Sequence, residues 1–476
     1  MFRINHVVDL DGDGDITEVD YQTTVPTADS LTFTCADIGI QTIQLWVGDE
    51  AGNWDYCVAF IDVQDNAGNC SITSRVGGNI ATSKGEGVMN VEVELSGNAS
   101  NLIMTDENGI FEFNGLLPFN DYTISPFKNT EVANGVSTFD IFLISKHVLN
   151  VEPITSPYYM IAADVNRSGS ISTLDIVEVR KVVLRVSNQF RNNTSWRFVD
   201  KDFIFQNPDD PFDYPEVINY NNITTSQIST DFVAIKIGDV SGDAKTDNFS
   251  GIEDRTGDQQ ILNIESTTQE VGTSQTVRFS FEDASALQGF QFTIDFDPSF
   301  LAFENIFENE LINERNFGFS MVDEGVITVS WDGVSTDELF FDLNFRTLQD
   351  ADLSEILRIT SQHTPIEIFE KQGIFKKLSV QFDGQVAQDE SFILYQNKPN
   401  PFSEETLIGF ELPESTEIKF TVFDLSGRVL KLIDEVYSEG YNEIRVSKDE
   451  LQGTGVYYYR LETAGEATTI KMMLIK

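Results

Sequence analysis

The sequence predicts a mainly β, multidomain protein with one small α-helical pair. Short runs of alternating apolar and polar residues recur between turn residues, as in 41–47 and 326–331, and this period of two is typical of half-buried strands. Helical spacing of apolar residues occurs in 137–151 and 172–186, which align without gaps and are identical at eight of fifteen positions. A chain of 476 residues is long enough for several domains. We therefore expect several β-sandwiches and one duplicated loop–helix unit.

The charge balance excludes one class of partner. The chain has 31 basic and 77 acidic residues, a net charge of −46, so little of it could displace the counterions of a nucleic acid. The same charge disfavours anionic membrane surfaces, and no apolar run approaches the roughly 20 residues that span a bilayer. We expect no nucleic-acid partner and no transmembrane segment. Because no signal peptide is visible, we also expect that Met1 is not the true start of an exported protein.

Residues 1–70 predict an immunoglobulin-like β domain. The turns 49–53 and 65–69 resemble those of bacterial extracellular immunoglobulin-like repeats. Cys35 and Cys57 fall in neighbouring predicted strands, so we expect either a disulfide between them or two small buried thiols. Residues 9–20 fit a calcium-loop pattern without a following helix, which predicts a helix-free calcium loop or an acidic surface turn. Its acids are Asp9, Asp11, Asp13, Asp15 and Asp20.

Residues 71–128 predict a second β module. Four short alternating runs include the hairpin 105–113, which is followed by Gly115. This hairpin resembles the carboxypeptidase regulatory-like and collagen-adhesin B-type modules. The resemblance implies a small prealbumin-like sandwich of the kind used as a stalk or spacer.

The second helical unit begins with a metal-binding pattern. Oxygen-bearing side chains stand at positions 1, 3, 5, 9 and 12 of the loop 164–175, and Gly169 at position 6 allows the sharp turn that wraps them around Ca²⁺. The candidate ligands are Asp164, Asn166, Ser168, Ser170, Ser172 and Asp175. An aspartate at position 12, followed at once by a helix, resembles the loop of dockerin modules. The resemblance implies that residues 129–186 form a calcium-binding pair of loop–helix units.

The loop before the first helix is a weaker match. Counting back from that helix places Ala133 at position 5, where it offers no side-chain oxygen. The alternative is a duplicated helical hairpin with polar loops. The candidate ligands of this first loop are Asn129, Glu131, Ser137 and Asp140.

The residues after the helices, 187–250, are rich in aromatic side chains. We expect them to form loops that pack on the helices within one domain, 129–250. Near their end the 1-3-5 spacing of a calcium loop recurs, but position 12 is Ser250 rather than an acid. This predicts a third ion or a polar turn. The candidate ligands are Asp239, Ser241 and Asp243.

Residues 259–383 predict a long all-β domain. The motif Gly-Phe-Gln-Phe-x-x-x-Phe-Asp-Pro-x-x-Leu at 289–301 resembles cohesin modules, and this resemblance implies a jelly-roll sandwich that binds dockerins. Related sandwiches also bind carbohydrate, so a surface glycan is an alternative partner. The linker 251–258 keeps this domain close to the helical pair. We therefore expect intramolecular docking of the two modules rather than head-to-tail linkage of chains.

Residues 391–476 resemble the C-terminal sorting domain of type IX secretion cargo. The blocks that carry the resemblance occur in order up to the C-terminal residue. Their key residues are Pro399, Asn400, Pro401, Phe402, Asp424, Gly427, Arg428, Gly455, Tyr457, Lys471 and Lys476. The resemblance implies a small β-sandwich that is recognised by the type IX machinery of a Gram-negative bacterium.

Catalytic constellations are missing from the sequence. His6, His147 and His363 lie in different predicted modules, and no HExxH, GxSxG, P-loop or GxGxxG motif occurs. We therefore expect a secreted or outer-surface, calcium-stabilised protein with a role in display, adhesion or assembly and without catalysis of its own. The alternatives are an accessory tail of a larger secreted hydrolase and a carbohydrate-binding module.

Overall fold

The computed structural model describes residues 2–8, 16, 20–34, 37, 39–64, 73–117, 120–246, 259–266, 271–386, 392–464 and 466–475. Strands predominate among these residues, and the longer helices lie between 138 and 183. The predicted mainly β, multidomain fold is confirmed.

The N-terminal strands form an antiparallel sheet in the order β1-β2-β3. They are β1 (Phe2–His6), β2 (Gly39–Gly48) and β3 (Trp54–Val63). Ile4 pairs with Leu45, and Leu45 pairs with Cys57. On the opposite face the amide of Gln44 exchanges hydrogen bonds with the main chain of Gln22. The segment before β2 therefore covers that face.

The second module is a sandwich whose strands come from two separate parts of the chain. The first part supplies β4 (Ser74–Thr82), β5 (Glu92–Gly97), β6 (Asn101–Met104), β7 (Ile110–Leu116) and β8 (Tyr122–Phe127). The second part follows the helices and supplies β9 (Trp196–Asp200), β10 (Ile218–Tyr220) and β11 (Phe232–Lys236). The sheets have the orders β10-β8-β5-β6 and β7-β4-β11-β9.

This arrangement corrects two predictions. Residues 71–128 do not close a sandwich alone, because β10 pairs with β8 and β11 pairs in parallel with β4. Residues 187–250 are not only loops packed on the helices. Trp196 and Phe232 lie in the core of the sandwich, whereas Phe190 and Phe203 pack in the helical core. The strands were missed because each is only three to five residues long, too short to show a period of two.

The helical region contains α1 (Thr138–Val148), α2 (Pro157–Ala163) and α3 (Thr173–Val183). The duplicated helices α1 and α3 begin with the same capping box, Ser137 with Asp140 and Ser172 with Asp175. In each, the serine hydroxyl and the aspartate carboxylate satisfy main-chain N–H groups of the first turn. Helix α2, with seven residues, was not predicted.

The next domain is a sandwich with sheets β15-β18-β13-β12-β22-β23 and β16-β17-β14-β20-β21, where β19 also pairs with β14. Phe290, Phe292 and Trp331 fill its core, together with residues from 262 to 368. Its elements are β12 (Gln259–Ser266), β13 (Ser274–Phe281), β14 (Leu287–Phe296), β15 (Leu301–Phe307), β16 (Phe317–Gly318), β17 (Val326–Asp332), β18 (Leu339–Thr347), α4 (Leu353–Ile356), β19 (Leu357–Thr360), β20 (Glu367–Glu370), β21 (Ile374–Phe375), β22 (Lys377–Phe382) and β23 (Gln385–Val386).

The tail is a smaller sandwich with sheets β24-β25-β28 and β27-β26-β29-β30. Phe402, Phe410 and Tyr459 lie in its core. Its strands are β24 (Ile393–Leu394), β25 (Glu405–Leu412), β26 (Thr416–Asp424), β27 (Val429–Tyr437), β28 (Gly440–Ser447), β29 (Gly455–Glu462) and β30 (Ala467–Leu474). Short 3-10 helices lie at Ala284–Ala286, Glu314–Asn316, Val322–Glu324, Lys371–Gly373 and Lys448–Glu450.

Candidate functional site

The loop 164–175 is wound around its two acids. Asp164 accepts hydrogen bonds from the N–H groups of Ser168 and Gly169, at 2.8 and 2.7 Å. Asp175 accepts from the N–H groups of Asn166 and Ser172, at 3.1 and 2.9 Å. Gly169 has a φ of 78°, which only glycine adopts without strain. The carboxylates at positions 1 and 12 therefore hold opposite ends of one loop together.

The chemistry of this loop fits a calcium ion. Asp164 is 5% exposed and Asp175 is fully buried. Burial raises the pKa of Asp175, and the charge of Asp164 raises it further, so two neighbouring carboxylates repel each other away from water. A divalent cation would neutralise that repulsion, and Ser168 and Asn166 place further oxygen-bearing side chains on the same loop.

The predicted ligands of the first loop, 129–140, do not come together in one loop in the structure. Asn129 accepts a hydrogen bond from the N–H of Ser195 instead of joining Asp140. Asp140 accepts from the N–H groups of Val240 and Ser241, both at 2.9 Å. The structure thus brings the position-12 acid of the first loop to the 239–243 turn, which had lacked one. The two incomplete patterns meet as one discontinuous loop.

Asp239 forms the other half of this discontinuous loop. Its carboxylate accepts from the N–H groups of Gly242 and Ala244, at 2.5 and 3.0 Å, and from the hydroxyl of Ser241. Burial raises the pKa of Asp239 to about 6, helped by the charge of Asp243. Burial, with the charges of Asp239 and Asp243, also raises the pKa of Asp140 well above its usual range. The carboxylates of Asp140, Asp239 and Asp243 therefore repel one another, and a bound cation would offset that repulsion.

A buried lysine partly balances these acids. Lys236 donates to the main-chain oxygen of Val132 at 2.7 Å, and burial lowers its pKa to about 7. Within the described part of the chain, no group of three or more His, Cys, Asp or Glu side chains stands at metal-binding distances. Both loops would therefore rely on serine, asparagine or main-chain oxygens beside their acids.

Most of the N-terminal candidates lie outside the described part of the chain. The residues concerned are Asp9, Asp11, Asp13, Asp15 and Cys35. The calcium loop 9–20 and the Cys35–Cys57 disulfide therefore stay predictions. Asp20 is buried. Cys57 is exposed on β3, so the alternative of two buried thiols is wrong for this cysteine.

The larger candidate site is the surface on which the helices meet the 259–383 domain. Thr138, at the start of α1, donates from its N–H and its hydroxyl to Oε1 of Gln291, at 2.6 and 2.8 Å. The same hydroxyl lies 2.7 Å from Oγ of Ser330. Gln291 and Ser330 face away from the core of the sandwich, yet they are 1% and 0% exposed. The helices therefore cover the outer face of β14 and β17.

Aromatic rings extend the contact beyond these hydrogen bonds. Phe139 of α1 stands edge-on to Phe369 and Phe375, with centroids 5.1 Å apart in both pairs. Phe142, one turn later, lies 5.3 Å from Phe369. Gly373 approaches so closely that a Cβ there would lie 2.9 Å from the ring of Phe139. Aromatic pairs of this geometry contribute free energy to the contact beyond that of burying their apolar area.

The C-terminal end of α3 contacts the same face. Thr328 donates from its hydroxyl to the main-chain oxygen of Leu184 at 2.6 Å, and Thr364 donates to that of Val183 at 2.7 Å. Both acceptors are end-of-helix carbonyls that lack partners within the helix. Arg180 forms an ion pair with Asp332. The sequence did not reveal these sandwich residues because serine, threonine and glutamine on alternate strand positions predict an exposed face.

The tail contacts residues 361–363 of the sandwich, beside the Thr364 that contacts α3, through polar groups. Tyr395 donates to Glu411 at 2.9 Å within the tail, and the N–H of Ser361 donates to the same carboxylate at 3.3 Å. Nζ of Lys398 lies 3.1 Å from Nε2 of His363. The tail is therefore docked on the sandwich rather than held only by its linker.

The blocks of the tail that carry the sorting-domain resemblance make contacts within the tail's own fold. Asn400 accepts a hydrogen bond from the N–H of Met473, and Phe402 is 1% exposed. Asp424 accepts from the N–H of Arg428 in a turn that contains Gly427 at a φ of 82°. The remaining predicted residues are Pro399 and Pro401, each after a cis peptide bond, Gly455 and Tyr457 on β29, Lys471 on β30, and Lys476, which lies outside the described residues.

Two family models match the chain. The cohesin domain matches residues 261–364, and the secretion system C-terminal sorting domain matches residues 398–476. These two resemblances are confirmed. The chain is a secreted modular protein exported by the type IX secretion system. The matched domains are non-catalytic modules, and they imply a dockerin-type partner and the secretion machinery. No helix in the described part of the chain could cross a membrane.

Solved cohesins are similar to one quarter of the chain. The seventh ScaB type I cohesin of Pseudobacteroides cellulosolvens is 17% identical, with 26% of this chain and 87% of that chain covered and a TM-score of 0.21. A type II cohesin in a cohesin–X–dockerin complex of Acetivibrio cellulolyticus is 14% identical, with coverages of 26% and 95% and a TM-score of 0.21. No curated protein matches the chain.

Proposed function

We propose that this protein is a rigid, calcium-stabilised display module on the outer surface of a Gram-negative bacterium, without catalysis of its own. The observation that carries this proposal is the covered face of the cohesin-like domain. Gln291, Thr328 and Ser330 are at most 1% exposed because α1 and α3 of the same chain lie over them. The cohesin-like domain then works as a joint inside the chain, not as an open receptor.

Calcium has a structural role in this proposal. Asp164 and Asp175 would hold one ion together with oxygens of their own loop. Asp140 and Asp239 would hold a second ion between α1 and the turn that follows β11. Each ion would neutralise buried carboxylates at the start of a helix of the pair. The ions would thus stabilise the helices that cover the cohesin-like domain.

Export through the tail can be tested directly. Residues 391–476, fused behind a fluorescent protein with a signal peptide, should carry it out of a type IX-competent cell. Deletion of residues 471–476 from the full chain should leave the protein in the periplasm, because the deletion removes half of β30. A matched deletion of the exposed loop residues 207–210 should leave export intact. Retention of the fusion, or secretion of the tail-deleted chain, would contradict the proposal.

A further inference from the structure

A pocket of about 620 Å³ opens to solvent beside α3. Its described lining comes from the loop 164–175, from α3 and from the segment that follows α3, all between residues 167 and 194. The contacts with the cohesin-like domain use other residues of the helices. Pockets that bind small molecules usually enclose about 300 to 1,000 Å³, so this one has room for a ligand of roughly two or three sugar rings.

The lining of this pocket reverses the charge balance of the chain. The whole sequence has 31 basic and 77 acidic residues. The described lining contains three cations, Arg167, Lys181 and Arg191, against the single acid Glu178. At physiological ionic strength the influence of exposed charges falls off over about 8 Å, so acids elsewhere on the surface act only weakly inside the pocket. The pocket therefore favours an anionic ligand on a protein that otherwise repels anions.

The three cations keep donors for such a ligand. Arg191 is exposed, and within the described part of the chain no hydrogen bond or ion pair engages its guanidinium. Nη2 of Arg167 donates to Glu216 at 3.2 Å, yet the side chain of Arg167 stays 55% exposed. Lys181 stays 45% exposed beside Glu178. Each guanidinium is a planar fork of N–H donors, which matches a carboxylate in a bidentate pair.

The uncharged part of the lining indicates what carries the anion. Apart from the ring of Phe190, which is 4% exposed, it consists of amides and hydroxyls. The side-chain amides of Gln189 and Asn192 are exposed and have no partner among the described residues. An amide donates and accepts, as a sugar hydroxyl does, so these groups suit a polyhydroxylated ligand. The uncharged polar residues of the lining are Ser187, Gln189, Asn192, Asn193 and Thr194.

Hydrogen bonds fix the wall that carries these amides. Nδ2 of Asn193 donates to the main-chain oxygen of Val165 at 3.1 Å, and its Oδ1 accepts from Arg197 at 3.3 Å. Ser187 donates from its hydroxyl to the main-chain oxygen of Gln189 at 2.6 Å. A ligand would therefore meet a wall that is already shaped, and little binding free energy would be lost in ordering it.

We propose that this pocket binds an acidic saccharide, in which a uronic carboxylate pairs with Arg191 and ring hydroxyls bond to the amides of Gln189 and Asn192. Arg167 and Lys181 offset the remaining negative charge of the ligand. A phosphate or sulfate ion would engage the cations and leave the amides unused, and a neutral sugar would do the reverse. The inference does not rest on export or on the covered face of the cohesin-like domain.

Calorimetry on the full chain tests the charge and the hydroxyls of the ligand separately. In about 0.15 M salt, trigalacturonate should bind at one site. Its fully methyl-esterified form keeps the ring hydroxyls without the charge, and it should bind about tenfold more weakly or worse because the charged hydrogen bonds are lost. Inorganic phosphate carries charge without ring hydroxyls, and it should also bind about tenfold more weakly or worse.

Two exposed positions of the pocket provide the variants. Arg191→Ser should weaken the binding of trigalacturonate by about tenfold or more, since it removes the unengaged guanidinium. Asn192→Gly removes an amide where the backbone has a φ of 62°, which glycine adopts without strain, and it should weaken binding by about threefold or more. Lys419→Ser removes an exposed cation on β26 of the tail and should leave the affinity unchanged. Circular dichroism checks the fold of each variant.

Three outcomes would overturn the inference. The first is that trigalacturonate does not bind at millimolar concentration. The second is equal affinity for trigalacturonate and for either its ester or inorganic phosphate, which would mean that the pocket recognises only hydroxyls or only charge. The third is unchanged affinity in both Arg191→Ser and Asn192→Gly, because binding would then take place elsewhere on the chain. Export of the same variants is a separate readout, so failure here leaves the proposed function to be judged on its own test.

Discussion

The cohesin-like domain is joined to the rest of the chain through two contacts, one with the helices and one with the tail, and the two joints differ in chemistry. Toward the helices it presents hydroxyls, an amide and aromatic rings, as in Thr328, Gln291 and Phe369. Toward the tail the contacts involve titratable groups, as in His363 with Lys398 and Ser361 with Glu411. Apart from the Asp332 carboxylate that pairs with Arg180, the groups of the first kind are not ionisable, whereas His363 and Glu411 are.

The environment of the tail joint shifts these titrations. Burial raises the pKa of Glu411 and of Asp295, because a carboxylate is more costly away from water. Burial also lowers the pKa of His363 to about 4, with help from the positive charges of Lys398 and Arg185. The comparison indicates a permanent joint on the helix side and an adjustable one on the tail side. Three variants test this difference, in order of decreasing effect.

The largest effect is expected from the aromatic contact of the helix joint. Phe142→Ala should lower the free energy of unfolding by about 3 kcal/mol, because it leaves a cavity against Phe369. The matched change Val177→Ala, at the duplicated and exposed position, should stay within about 0.5 kcal/mol. Denaturant melts of both variants measure the difference. Equal effects would mean that Phe142 does not stabilise the joint.

This pair of positions also shows how far the sequence could predict the structure. The duplication and the helical spacing of apolar residues predicted α1 and α3, which the structure contains, and the spacing of acids around Gly169 predicted the calcium loop 164–175, which stays a prediction. They could not predict that Phe142 is buried against the cohesin-like domain while Val177 is exposed, since the two residues occupy the same place in the pattern. They also could not join Asp140 to Asp239. Contacts between residues about 100 positions apart leave no local period, and neither do strands of three to five residues.

The second effect concerns calcium and should be confined to the helix joint. A ligand that binds only the folded state at a hundredfold excess over its Kd stabilises it by about 2.7 kcal/mol. Chelation should therefore lower the melting temperature of the helix pair. The double change Asp164→Ala with Asp175→Ala should remove most of that response, and Asp209→Ala, in an exposed loop, should not.

Amide hydrogen exchange, measured with and without chelator, shows which of the two joints depends on calcium. Chelation should speed exchange in α1 and α3 and leave the tail strands β25 and β28 unchanged, because no predicted calcium ligand lies in the tail. An identical melt with and without chelator would show that the loops hold their shape without an ion. Faster exchange in the tail as well would show that the two joints are coupled.

The smallest effect is expected from His363 in the tail joint, and its sign follows from its pKa. A histidine usually titrates near 6.5, but here burial and two neighbouring cations lower the pKa to about 4. Between these values the unfolded chain binds a proton that the folded joint does not, so His363 makes the joint less stable as the pH falls from about 6.5 to about 4. Above that window it has no effect, because the ring is neutral in both states.

The variant His363→Gln removes this titration but keeps an oxygen that can accept from Lys398. Between pH 7 and pH 4.5 the free energy of unfolding of the variant should fall less than that of the wild type. The difference should be on the order of 1–2 kcal/mol after allowance for the partial exposure of the ring, and it can be followed by the melting temperature. Asp295 and Glu411 act in the opposite direction, since their raised pKa values favour the folded state in acid, so the informative quantity is the difference between variant and wild type. His147→Gln, remote from the tail, is the control, and it should leave the contribution of His363 to the pH dependence unchanged. If His363→Gln keeps the wild-type pH dependence, the ring is not buried between the sandwich and the tail, and the adjustable character of this joint must come from its carboxylates alone.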